Sequence, residues 1–176
     1  MISADYVYFI SSLPTLQFGS KGPFSFEKFL ELCGQYLPEK DVEIFKRSSI
    51  SGDYDEKENQ TPALKRWRDF DTMLRNELVK IRASRKHLDP VNYMRQDGAA
   101  DSSIAHIAMN AHRNPSILEA ERMLDMARWD ALDELEMGHY FDLDLMIVYA
   151  HKLLILERWE TVETAQKESL LEKVLR

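Results

Sequence analysis

With 176 residues, 44% hydrophobic and 30% charged, the chain can bury roughly 70% of its unfolded surface without a metal or disulfide; its composition excludes general disorder. Six glycines and six prolines are too few for a turn-rich β-sandwich and suit long helices. The formal charge of −7 opposes nucleic-acid binding, since a phosphate backbone repels the molecule as a whole.

Tyr6-Val-Tyr-Phe-Ile-Ser-Ser-Leu13 is a short apolar run stopped by Pro14. So short a run fits a single strand or a buried helical turn equally. Gly19, Gly22 and Pro23 mark a loop. Ser25 is the expected N-cap of a helix through Phe26, Phe29, Leu30 and Cys33, ended by Gly34 or Pro38. A second short helix turns Val42 and Phe45 inward. Residues 51–60, polar, acidic and without periodicity, read as a mobile surface loop.

Thr61-Pro62 combines a capping hydroxyl with proline at the first helical position. Leu64, Trp67, Phe70, Leu74, Leu78 and Ile81 then recur every three or four residues, which predicts an amphipathic helix to about Lys86. Pro90 to Ala100 is a loop with a turn at Asp97-Gly98. Asp101 or Ser102 caps a short helix bearing Ile104, Ile107 and Ala111. Asn114-Pro115 repeats the cap-plus-proline signal and opens a longer helix through Leu118, Met123, Trp129, Leu132 and Leu135, with Gly138 as its C′ residue. Asp142 caps the next helix, which holds Ile147, Tyr149, Leu153, Leu154 and Trp159. The segment from Thr161 to Arg176 is amphipathic through Val162, Leu170, Leu171 and Val174. One strand at most makes no sheet, so the expected fold is an all-α multi-helix bundle. It forms a single helical domain, or two lobes: short helices over residues 1–60 and a long-helix bundle over 61–176.

A shift of thirty positions superposes Ile117, Ala120, Leu124, Arg128 and Trp129 on Ile147, Ala150, Leu154, Arg158 and Trp159. Met123 meets Leu153, Arg122 meets Lys152 and Asp130 meets Glu160. Apolar matches arise between any two amphipathic helices; the Arg-Trp-acid triplet is more specific. The pattern reads either as a duplicated helical unit or as coincidence.

Cys33, the one cysteine, has no internal disulfide partner, so a reduced cytoplasmic setting is expected. Met1-Ile2-Ser3-Ala4-Asp5 lacks the basic region and cleavage site of a signal peptide. The apolar run from Leu143 to Leu156 is broken by Asp144, His151 and Lys152; too short and polar to span a bilayer, it predicts no direct membrane insertion.

Trp67, Trp129 and Trp159 each follow an arginine on or near an apolar face. They are interface anchors or core indoles whose arginines reach back to solvent. Their fit to the apolar stripes favours the core. Arg68, Arg75 and Arg82 are seven apart and line one side of their helix, with Arg66, Lys80, Arg85 and Lys86 elsewhere on it. The row is a docking strip for an acidic partner helix or, failing that, a phosphate backbone; the competing reading, favoured by the surplus of carboxylates, pairs it internally with Glu119, Glu134, Glu136 or other acids of the later helices.

Glu136-Met-Gly-His139 has the Glu-x-x-His spacing of a di-iron bundle, which needs that pair twice; no second copy exists. His87, His106, His112 and His151 show no ligand spacing with one another or with Cys33. There is no P-loop, dinucleotide fingerprint or nucleophile elbow. Cys33 on an apolar face reads as a small core residue. No catalytic residue, metal or cofactor is expected, although acid–base pairs among so many carboxylates stay open.

Two stretches carry a resemblance: Tyr6-x-Tyr8-x-x-x-Ser12-Leu13-Pro14 with Phe26-x-x-Phe29-Leu30, and Tyr140-Phe141-x-Leu143 with Tyr149-x-x-Lys152-Leu153-x-Ile155-Leu156-x-Arg158-Trp159. Between them lies Leu74-Arg75-Asn76-x-Leu78 with Arg82-Ala83. Together they resemble an uncharacterised bacterial family encoded among the subunits of V-type, archaeal-like ATP synthases. They are also distantly similar to the d-type helical spacer of those synthases, which seats the central stalk on the rotor ring. The resemblance implies a helical protein without an established reaction. It implies an accessory or central-stalk-like part in assembling or coupling the rotary machine, with soluble or stalk subunits as partners and a cytoplasmic position peripheral to the membrane through the complex. The expected contact residues are Arg68, Arg75, Arg82, Arg128, Trp129, Arg158 and Trp159. The alternatives are a small cytoplasmic helical adaptor unrelated to ATP synthesis and a carboxylate-rich helical enzyme or metal protein.

Overall fold

The computed structural model describes residues 4–50, 61–95 and 101–175, with side chains from residue 6 to 166 within them. The elements in these residues are α1 (Ala4–Ser12), α2 (Phe26–Tyr36), α3 (Glu39–Lys46), α4 (Pro62–Lys86), a 3-10 turn (Pro90–Asn92), α5 (Ser102–Arg113), α6 (Ile117–Glu136) and α7 (Leu143–Leu175). No strand occurs among the described residues, and the fold is all-α. The expected loop at 51–60, the Asp97-Gly98 turn and the inward faces of Leu170, Leu171 and Val174 lie outside the described residues and side chains.

The helices form two compact units, Met1–Ser51 with Glu136–Arg176, and Gly52–Leu135. In this grouping α7 joins the short N-terminal helices, unlike the two-lobe alternative divided after residue 60. The reason lies in their aromatic faces. Phe29 of α2 is fully buried and stacks on Tyr149 of α7 at 5.6 Å, with Phe45 of α3 tilted against it at 5.8 Å.

In the first unit the run after Ala4 is a helix. Tyr6 and Phe9, one turn apart, are buried, whereas strand alternation would have buried Tyr8, which is largely exposed. Tyr6 donates a 2.7 Å hydrogen bond to Asp41 Oδ2, tying α1 to α3. Ser25 caps α2 by accepting from the Lys28 N–H. That helix passes through Gly34 and stops at Leu37, whose N–H still reaches Cys33 O at 2.8 Å, before Pro38 prevents continuation.

Asp142 caps α7, its Oδ1 accepting from the Leu145 N–H at 2.9 Å. The helix continues without interruption into the amphipathic segment after Thr161, where Thr161 and Thr164 turn their hydroxyls back onto the Glu157 and Glu160 carbonyls. Gly138, at φ +88°, turns the chain out of α6 as expected. A Cβ there would meet nothing within 4 Å, so the cost of a side chain is backbone strain alone. Gly138→Ala is expected to lower the unfolding free energy by about 1 kcal/mol in a denaturant titration.

In the second unit Thr61 Oγ1 accepts from the Leu64 N–H, with Pro62 at the first helical position. Asp101 caps α5 through the Ser103 and Ile104 N–H groups. The core joins Leu74 of α4, Ile104, Ala108 and Ala111 of α5 and Leu124 of α6. Two expectations on α6 are corrected. Asn114 ends α5 and accepts from the Ser116 N–H; Ser116 Oγ then accepts from the Glu119 N–H, so Ser116 does the capping and Pro115 stays outside. The inward face runs through Leu124, Ala127 and Leu132, while Met123 is partly exposed.

The helices matched by the thirty-residue shift fall in different units. Ile117, Arg122 and Met123 are exposed where Ile147, Lys152 and Leu153 are buried. The matching positions therefore occupy unlike environments.

Candidate interaction site

Asp71 occupies the apolar stripe of α4, one turn after Trp67 and one before Leu74, and is fully buried. Its Oδ2 accepts from Arg75 Nε at 2.6 Å and its Oδ1 from Arg128 Nε at 3.0 Å; Arg128 Nη1 donates to Asp125 Oδ1 at 2.7 Å. Two arginines and two aspartates thus form a network of zero net charge that links α4 to α6. Burial alone would raise the Asp71 pKa, but Arg128 and Arg75 more than offset it and hold the carboxyl below its ordinary value. Burial likewise works against the charged Arg128, and Asp71 and Asp125 reverse the effect. Its charges balance one another, and its work is to fix the two helices.

Beyond the network, α4 ends at His87 in a left-handed conformation (φ 56°), with the Leu88 N–H on Ala83 O and the His87 N–H on Ser84 O. Asp89 caps the following 3-10 turn. The chain then returns along α4, where the Asn76 side chain accepts from the Arg95 N–H at 2.9 Å and donates to its carbonyl at 3.1 Å. Because the return brings the chain back beside Asn76, α5 runs parallel to α4, and both helices finish at the same end. Asn76→Ala should release residues 88–95, read as faster amide exchange at Arg95 with little change in the global melt.

Between those two helix ends lies a cleft of about 420 Å³ lined by Arg82, Arg85, Lys86 and His112. Each helix C-terminus contributes roughly half a negative charge. Three permanent cations exceed that sum, so the cleft is positive on a molecule that is negative overall. Among the described residues no carboxylate pairs with Arg82, Arg85 or Lys86. All three are exposed.

The expected arginine row is therefore divided. Arg82 opens into the cleft, Arg75 is bound to Asp71, and Arg68 is half-buried. The acids that neutralise the interior are Asp71 and Asp125; Glu119 is exposed, and Glu136 takes Lys152 instead. Trp67 is fully buried against Phe70. Arg128 and Trp129, expected as contacts, are each only 6% exposed. Arg158 and Trp159, on α7 in the other unit, are half-buried. His112, at the end of α5, had no ligand spacing to mark it, and only the parallel return of the chain brings it to Arg82.

Other candidate chemistry is accounted for by local bonding. Glu136 binds Lys152, while His139 Nδ1 meets Asp142 Oδ2 at 2.6 Å across the Gly138 turn. Among the described residues no three His, Cys, Asp or Glu side chains converge as a metal site. His151 is buried with Nδ1 donating to Ile147 O. Cys33 is fully buried, and burial pushes its thiol up to about 12, leaving it protonated at neutral pH.

Fold and cleft together define an all-α protein with a cationic recess at one end of a parallel helix pair. Among the described residues no helix is long and apolar enough to cross a membrane. Residues 102–176, somewhat under half of the chain, match the model of a family described as "Protein of unknown function (DUF2764)". No curated protein and no solved structure matches the chain.

Proposed function

We propose that this protein is a non-catalytic helical accessory or central-stalk-like component of a V-type ATP synthase, acting by contact with soluble or stalk subunits in assembly or coupling. The observation that carries the contact reading is the cleft: three exposed cations gathered at one place without carboxylate partners among the described residues, on a chain of net charge −7. Elsewhere the molecule pairs its buried cations within itself, so a recess left positive is a surface for another molecule. The link to the rotary machine rests on the resemblance carried by Tyr6 to Pro14 and Tyr140 to Trp159. In this reading Arg82 meets the partner directly, Arg75, Arg128 and Trp129 hold α4 and α6 in place behind it, and Arg158 and Trp159 offer a second contact. The protein then works in the cytoplasm, peripheral to the membrane through the complex.

The test is recovery of a tagged copy from native lysate at moderate salt. Rotor or stalk subunits of the synthase are expected with it in defined stoichiometry. Recovery of the chain alone, with an intact synthase in the same lysate, would favour an adaptor unrelated to ATP synthesis.

A further inference from the structure

The cleft has a second property besides charge. The chain leaving it exposes three large apolar side chains in six residues: Leu88 at 46%, Val91 at 72% and Tyr93 at 59%. A solvated loop gains nothing from that exposure, and the segment is held in shape by the Asp89 cap and the Asn76 clamp. Cations in a recess, followed directly along the chain by ordered apolar side chains, match one kind of surface: a helix with carboxylates along one side and aliphatic residues beside them.

We propose that this cleft is the docking site for an acidic amphipathic helix of a partner protein, whose carboxylates meet Arg82, Arg85 and Lys86 while its apolar residues cover Leu88, Val91 and Tyr93. The inference deepens the contact reading above and rests on it for the site, though not for the partner's identity. Two arguments favour a protein helix. The arginines present forked donors that match carboxylates in pairs. The exposed aliphatic side chains of Leu88 and Val91 find no apolar counterpart on a phosphate backbone. His112 stands at the wall, and no carboxylate among the described residues bonds to it.

The experiment uses the purified full chain and a fluorescent synthetic helix of about four turns with glutamates on one side and leucines on the other. Fluorescence anisotropy should report saturable binding that weakens as salt rises from about 0.05 to 0.5 M. The triple variant Arg82→Glu, Arg85→Glu, Lys86→Glu should lose affinity by roughly a hundredfold, and Leu88→Ser with Val91→Ser by roughly tenfold. All five side chains are exposed, so circular dichroism should be unchanged. Equal binding of a lysine-for-glutamate peptide, or retention of affinity by the triple variant, overturns the proposal. So does binding only to phosphatidylserine vesicles or only to tripolyphosphate. Peptide binding that survives while the tagged chain recovers no synthase component sinks the synthase assignment and leaves the docking site standing. Recovery of synthase components by the triple variant as well as by the wild type sinks the docking site alone.

Discussion

Arg128→Ala is expected to lower the unfolding free energy by about 3–5 kcal/mol, a fall of roughly 10 °C in melting temperature. The size follows from what is left behind. Asp125 loses its Nη1 donor and Asp71 its Nε donor from Arg128, while both carboxylates stay buried. The double variant Asp71→Ala, Arg128→Ala should cost less than the sum of its two singles, because each single strands a charge that the double removes. A loss under about 1 kcal/mol for Arg128→Ala would mean that water reaches the network and that it does not order the helices.

The same network predicts an acid limb. Burial pushes Asp71 up, but Arg128 and Arg75 bring its folded value below the ordinary 3.8. A depressed carboxyl stabilises the fold fully above the unfolded value and loses that contribution as pH falls through the folded one. Stability should therefore decline below about pH 4 in a way that Arg128→Ala largely abolishes. Identical acid profiles for wild type and variant would show that other carboxyls govern the decline.

Phe29→Ala is the second large effect, at about 3–5 kcal/mol. The ring is fully buried and meets Phe26 at 6.0 Å, Phe45 at 5.8 Å and Tyr149 at 5.6 Å. Removing it opens a hole among α2, α3 and α7 that aromatic neighbours cannot collapse to fill. Phe29→Leu keeps most of the volume and should cost well under half as much. Calorimetry distinguishes the two; equal losses would indicate that ring stacking, and not volume, holds the site.

What could be read from the residues was what is settled within one helical turn. Ser25, Thr61 and Asp142 cap the helices they were expected to cap, because a side-chain acceptor and an N–H three residues on make a complete local unit. Asn114-Pro115 misled by two residues because Ser116 offered a competing hydroxyl just downstream. The Arg128–Asp71 bond spans 57 positions and no local pattern announces it, yet a signal was available. Asp71 interrupts the stripe between Trp67 and Leu74 and stands four before Arg75, while Asp125 stands three before Arg128. An acid on an apolar stripe with an arginine a turn away marks a buried pair. The cleft was half legible: Arg82, Arg85 and Lys86 were visible as charge, but the return of the chain along α4 decides which end α5 reaches, and that depends on the Asn76 clamp.

The first compact unit is assembled from both flanks of the sequence, residues 1–51 and 136–176, while residues 52–135 form a contiguous unit between them. On the ribosome, α1 to α3 emerge long before α7, and at 5–20 residues per second the interval is roughly 5–20 s. Through that interval Phe29 and Phe45 have no Tyr149-bearing helix to close over them, while the intervening segment is completed before that helix begins. Nascent chains stalled before residue 143 should therefore bind chaperone through their first fifty residues and resist protease between residues 61 and 95.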